Sequence, residues 1–414
     1  MKYLLSVLLS AFLFVACNSS NSSNSDKTDS GASIAESTDV IDEPEVWHVD
    51  FANQITNKKD LFLSDIADSL SYILMETTND YLIGEKGLSV KPCDAYIFIG
   101  QHDRPVGVFD RDGKFIRTIG RIGKGPEEFN NDYLFYPEEK GQKIIFANAS
   151  RKCLTVYSWE GEFIKDIFPE IKPFFFAPVG VDNYLIWTGI QAQDSIGFYR
   201  LAFVNGNGEI VKTVYEDERE YGSGKQIMFM SPLVTPAKEG LLYNSWEEDL
   251  IYRILPDTIM RPTIEWDLGK YKMPFNVIDD YDRYNREKHK FVRDINAVEG
   301  KNKWYLRYYH TRGLEMAVFD KESNELLTVK NPDLEQNGLF NDLDGGPSFW
   351  PFYDTEQGGI SYKMIPAIEI LSSHSENLNY QGSPKDPEAA KQYQSLIKDL
   401  KPTDNPILIK VILK

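Results

Sequence analysis

The chain has 414 residues and a formal net charge of −18, with 42% hydrophobic and 13% aromatic residues. Such a composition can bury a sizeable core and leans towards strands, because aromatic side chains suit half-buried pleated surfaces. The large negative field repels phosphate backbones and so excludes nucleic acid as a natural partner.

Met1 and Lys2 are followed by an apolar run from Tyr3 to Ala16, the build of a secretory signal. The run is too short for a stable bilayer span. It ends Phe14-Val15-Ala16-Cys17. A small residue directly before a cysteine resembles the lipobox of bacterial lipoproteins, although Phe14 stands where that pattern usually has leucine. The resemblance implies that residues 1–16 are removed and that Cys17 becomes the first mature residue. Its acyl chains would then partition into a bilayer at roughly 0.8 kcal/mol per buried CH₂. Residues 17–44 open with Asn18-Ser19-Ser20-Asn21-Ser22. The tract is too polar to form a core and reads as a flexible tether. Residues 45–414 form the body, and no later stretch is apolar and long enough to cross a membrane.

Self-similarity organises that body. Tyr96-Ile97-Phe98-Ile99, Val108-Phe109-Asp110 and Gly113-Lys114-Phe115-Ile116 reappear 48 residues later as Ile144-Ile145-Phe146-Ala147, Val156-Tyr157-Ser158 and Gly161-Glu162-Phe163-Ile164. A looser copy runs through Tyr184–Trp187, Leu201–Val204 and Gly208–Val211, and another through Trp304–Arg307 and Ala317–Asp320. Weaker copies lie near Leu241–Ile254 and Phe349–Met364. Each unit reads as strand, loop, strand, tight turn, strand. The pieces Asp110-Arg111-Asp112-Gly113 and Asn205-Gly206-Asn207-Gly208 supply the turns, because Asp, Asn and Gly tolerate positive φ. Six such units of roughly 40–50 residues predict an all-β, six-bladed β-propeller.

Two helices are expected within it. One is a short charged insert over residues 279–292, between the fourth and fifth units. The other is a C-terminal helix opened by Asp386-Pro387-Glu388, striped by Tyr393, Leu396, Ile397 and Leu400, and ended by Pro402. The final apolar strand, Ile407–Leu413, should be completed by an N-terminal partner, either residues 46–51 or 71–75, closing the ring. Cys93 and Cys153 occupy non-equivalent places in adjacent repeats. They are expected to be free and buried rather than bridged.

The phrase Gly120-Arg121-Ile122-Gly123-Lys124-Gly125-Pro126-Glu127-Glu128-Phe129, with Ser64–Ala67, Tyr72–Thr77 and Phe109–Gly113, resembles the Bacteroidetes-type six-bladed β-propeller lipoproteins, relatives of NHL and TolB-like propellers. The likeness covers roughly residues 45–414 and implies a periplasmic or outer-membrane address, lipid-anchored and periplasm-facing. It carries no settled activity.

Chemistry is sparse. The five histidines show no helical i, i+4 pairing, and no zinc-protease, nucleophile-elbow or phosphate-loop motif appears. No metal or cofactor is expected, and catalytic residues stay unassigned. Candidate ligand-binding residues are Arg121, Lys124 and Gly125, which could form an anion nest. His310 and Arg312 could line the axis, and Trp350 could offer a stacking face. Three readings remain open. The first is a binding or scaffold propeller for a glycan or peptide. The second is a lyase or hydrolase built on the same funnel. The third is a subunit of an outer-membrane assembly joined to a protein partner.

Overall fold

In blade 1 the two middle strands, Ile97–Gly100 and Val106–Phe109, are buried at every position, whereas the outer strand Phe115–Ile119 alternates. Middle strands with two apolar faces need cover on both sides, and neighbouring blades in a ring supply it. The structure is a computed structural model that describes residues 46–84, 88–129, 134–148, 150–171, 173, 175–187, 193–194, 197–215, 233–237, 239–244, 249–278, 280–311, 313–354 and 359–414.

Six sheets form a six-bladed propeller. From the axis outwards, blade 1 contains Ser89–Pro92, Ile97–Gly100, Val106–Phe109 and Phe115–Ile119, and blade 2 contains Phe135–Glu138, Lys143–Asn148, Cys153–Ser158 and Phe163–Ile167. Blade 3 contains Phe175–Gly180, Asn183–Trp187, Gly197–Asn205 and Ile210–Tyr215, with Gln193–Asp194 paired to its third strand. Blade 4 contains Leu233–Pro236, Leu241–Asn244, Leu250–Ile254 and Met260–Asp267, and blade 5 contains Arg293–Glu299, Lys303–His310, Gly313–Asp320 and Glu325–Val329. Blade 6 joins Tyr353–Asp354 and Ile360–Ile365 to the C-terminal Ile407–Leu413 and the N-terminal Ala67–Leu74.

Closure therefore uses Ala67–Leu74, in register from Ile407↔Leu74 to Leu413↔Ala67. The other expected partner takes a different place: Trp47–Asp50 adds a parallel fifth strand outside blade 4, and Lys58–Lys59 does the same outside blade 5. The core lies between blades. Phe98 of blade 1 shares a cluster with Phe135 and Phe146 of blade 2, while Tyr362 and Leu408 of blade 6 join Ile97 and Phe109 of blade 1.

The C-terminal helix spans Pro387–Asp399, with the Asp386 carboxylate accepting the Glu388 and Ala389 amides. Its Tyr393 stacks on Tyr72 of the closing strand, centroids 5.3 Å apart. The charged insert is shorter than the sequence suggested: one helix, Tyr281–Glu287, is followed by a 3-10 turn at Lys288–Lys290, while Asp279 lies outside the described residues. Phe291 and Val292 are buried, so apolar packing against the ring ends the helical stretch there. Cys93 and Cys153 are buried and unbridged, on different blades.

Candidate functional site

Antiparallel strands send the first-to-second and third-to-fourth connections to one end of the ring. Second-to-third connections and the crossovers between blades lie at the other. The sequence-nominated binding residues of the body that are described, Arg121, Lys124, Gly125, His310 and Trp350, fall at that second end.

The Gly120–Phe129 segment lies on the crossover from the outer strand of blade 1 to the inner strand of blade 2. Its anion site is already filled by the chain itself. The Glu128 carboxylate accepts the Gly125 amide at 2.8 Å, and a Cβ on Gly123 would strike that carboxylate. Phe129 stacks on Phe146 at 4.1 Å, its amide bonds the Arg121 carbonyl, and Tyr157 Oη donates to the Glu127 carbonyl. Arg121 and Lys124 extend from this knot into solvent. The glycine-rich phrase is thus explained by tight backbone and side-chain approach.

His310 packs edge-on to Tyr271 at 5.1 Å and lies 3.5 Å from Glu315 Oε1. Burial works to raise the Glu315 carboxyl, but the His310 hydrogen bond and the Lys58 charge outweigh it and hold the group below the usual range. These partners belong to the third and fifth strands of blade 5 and to the excursion before it, away from the inner strand. Trp350 is 3% exposed and edge-on to Tyr305 at 6.2 Å, inside the core shared by blades 5 and 6. Its indole is core and offers solvent no stacking face. Arg312 and Cys17 lie outside the described residues.

The opposite end carries a cavity of about 980 Å³, which sequence reasoning did not find. Its wall is built from the ends of the inner strands of blades 1 to 4, at Pro92, Pro137, Pro178 and Pro236, with Pro256 from the outer hairpin of blade 4. An inner strand is a sheet edge facing the axis, so a proline there costs no ladder hydrogen bond and blocks pairing by another chain. Val179, Ala237, Leu241 and Leu255 give the wall apolar area.

The charged lining is graded. Lys91 lies within the inner strand of blade 1, its ammonium 4.5 Å from the centroid of the Tyr136 ring. Burial pushes its pKa down to about 8. Tyr136 is braced edge-on by Phe176 at 5.4 Å, and burial holds its hydroxyl protonated well above the usual phenol range. Glu138 is buried. One oxygen accepts the Asp182 amide at 3.1 Å and the other lies 3.9 Å from Lys143 Nζ, joining blade 2 to blade 3. Burial outweighs both and raises its carboxyl. Asp94, Glu139, Glu239 and Asp257 stand on hairpin ends at the mouth. Among the described residues, no three His, Cys, Asp or Glu side chains are grouped to hold a metal ion, and no helix is long and apolar enough to cross a membrane.

Fold and cavity together define a six-bladed propeller with a mixed-charge pocket at one axial mouth. The chain belongs to the family described as a domain of unknown function, DUF4934, whose profile matches residues 47–411. No curated protein matches the sequence. The fold is similar to the crystal structure of a Bacteroides fragilis protein described as exported, at 13% identity and a TM-score of 0.68, covering 89% of this chain and all of that one. A member of the DUF4221 family from Bacteroides vulgatus is similar at 12% identity and a TM-score of 0.46, covering 84% and 97%.

Proposed function

We propose that this protein is an exported, lipid-anchored binding propeller, of the NHL and TolB-like kind, that takes a glycan or peptide into its axial cavity. The observation carrying this reading is the cavity itself. It is concave, walled by rigid strand ends, partly apolar, and within the size range of small-ligand sites, about 300–1,000 Å³. Export is supported by the leader at residues 1–16 and by the fold neighbour described as exported. The anchor is supported by Ala16-Cys17 followed by a polar tether.

A thermal-shift screen of the mature body against glycans and peptides tests the binding role. Val181 is 48% exposed and lines the cavity, so Val181→Trp fills the mouth without disturbing the core. Ligands that raise the melting temperature of the wild type should lose their effect on this variant. No stabilising ligand, or stabilisation unchanged by the tryptophan, overturns the reading. Separately, Cys17→Ser should move the protein from the membrane to the soluble fraction, and retention in the membrane would sink the anchor.

A further inference from the structure

We propose that the cavity takes an amphoteric ligand carboxylate-first: Lys91 receives the carboxylate, and the mouth carboxylates receive an ammonium or guanidinium group. That is the chemistry of a short basic peptide with a free C-terminus. The inference rests on the cavity being the binding site.

Burial alternates along the inner strand of blade 1, with Val90 and Pro92 buried and Ser89 and Lys91 partly open. Period-two geometry therefore puts Lys91 on the sheet face opposite Val90, the face that meets Tyr136 of blade 2, where it lines the cavity. Among the described residues, no hydrogen bond or ion pair engages its ammonium, which lies over the Tyr136 ring with the buried Cys93 thiol as its other electrostatic neighbour. Three other partly buried cations of the ring have polar partners. Arg253 lies 3.0 Å from Glu299, Arg151 lies 2.7 Å from Asp166, and Lys363 donates to the Gln336 and Ser348 carbonyls at 2.6 and 2.8 Å. A half-buried ammonium without a carboxylate partner is costly, and the cost is relieved when an anion arrives. The aromatic face beneath it fixes the ammonium while leaving its outward donors open.

A simple anion would meet an unfavourable approach, since Glu139, Glu239 and Asp257 stand at the mouth of a strongly acidic protein. A ligand with positive charge at its trailing end turns the same carboxylates into partners. Glu239 and Asp257 are exposed on two hairpins of blade 4, free to meet it, whereas Lys91 sits further along the axis. The opposed charges thus set a direction of entry.

The test uses the mature body and calorimetric titration with three probes: the tripeptide Lys-Ala-Ala with a free C-terminus, its C-terminal amide, and the acid with norleucine in place of lysine and an acetylated N-terminus. The free acid should bind the wild type about tenfold or more tightly than the amide, as expected for one charge-assisted hydrogen bond. Lys91→Met should erase that ratio while circular dichroism and melting confirm the fold. The acetylated norleucine probe should bind more weakly than the free acid in both proteins. Equal binding of acid and amide to the wild type, or no binding by any probe, overturns the assignment. If a neutral glycan binds instead and is lost in Val181→Trp, only the peptide chemistry falls. If Val181→Trp leaves every bound ligand in place, the cavity reading falls too.

Discussion

Gly113 and Gly161 occupy the same place in successive repeats, the fourth residue of the third-to-fourth turn, and adopt φ of +87° and +94°. A type I turn closed by a left-handed residue introduces a bulge, and register shifts follow at Val108/Phe109 and Val156/Tyr157. The two glycines are not equally replaceable. A Cβ on Gly113 would strike the Leu74 carbonyl of the closing strand, whereas one on Gly161 would meet its nearest neighbour, the Thr118 carbonyl, at 3.5 Å. Gly161→Ala should therefore lose about 1–2 kcal/mol, the cost of left-handed backbone alone. Gly113→Ala should lose more, because the backbone joining blade 6 to blade 1 must also move. Urea unfolding of the two variants checks the order, and equal losses would show that the closing strand gives way freely. These glycines were legible in the sequence because one residue type does one local job. The Glu128 carboxylate in the Gly123–Gly125 turn was not. A glycine-rich loop looks the same whether its amides face a ligand or the chain's own side chain.

At the scale of elements, a clasp recurs between blades. Arg117 Nε donates to the Trp159 carbonyl at 2.8 Å, Lys165 Nζ to Gly206 at 2.8 Å, and Lys212 Nζ to Thr258 at 2.7 Å. Each runs from the outer strand of one blade to the outer turn of the next. Partly exposed charge-assisted bonds of this kind contribute about 1 kcal/mol each. Replacing Arg117, Lys165 and Lys212 by methionine should lower stability by roughly that amount apiece, and nearly additively, since the sites share no partner. A triple variant as stable as the wild type would show the clasps to be incidental. The repeats exposed the second, third and fourth strands of blades 1 to 3 because they are apolar and end in recognisable turns. The inner strands stayed hidden. Ser89–Pro92, Phe135–Glu138 and Leu233–Pro236 have four residues each and carry proline at or beside their ends. Such segments read as loops until the sheet edge they form is known to face the axis. The cavity was invisible for the same reason, since its wall is made of those strands. The nominated residues came instead from the crossovers and from the second-to-third connection of blade 5, at the other end of the ring.

At the scale of the whole molecule, closure joins the two ends of the body. Residues 47–74 lay strands on blades 4, 5 and 6 in turn, and Ile407–Leu413 lies between Ile360–Ile365 and Ala67–Leu74. Truncation before Ile407 would leave blade 6 without its third strand and should abolish cooperative unfolding, read as loss of a sharp calorimetric transition.

The ring also sets an alkaline signature. Burial lowers both Lys91 and Lys363 to about 8, against about 10.4 for lysine in an unfolded chain. Between those values the unfolded chain binds more protons than the folded one, so stability rises with pH. Burial acts oppositely on Tyr136, Tyr184, Tyr308 and Tyr393, whose hydroxyls stay protonated in the fold after an unfolded chain would lose its protons. Above about pH 10 that difference removes stability. The melting temperature should therefore climb from about pH 8, pass through a maximum, and fall beyond about pH 10. The double variant Lys91→Met, Lys363→Met should flatten the climb and leave the fall intact. The absolute melting temperature will drop as well, because the Gln336 and Ser348 carbonyls lose their donor, so the slope against pH is the informative quantity. A climb of the same steepness in the double variant would mean that these two amines are already solvated in the folded state, and that the axial ammonium needs no partner.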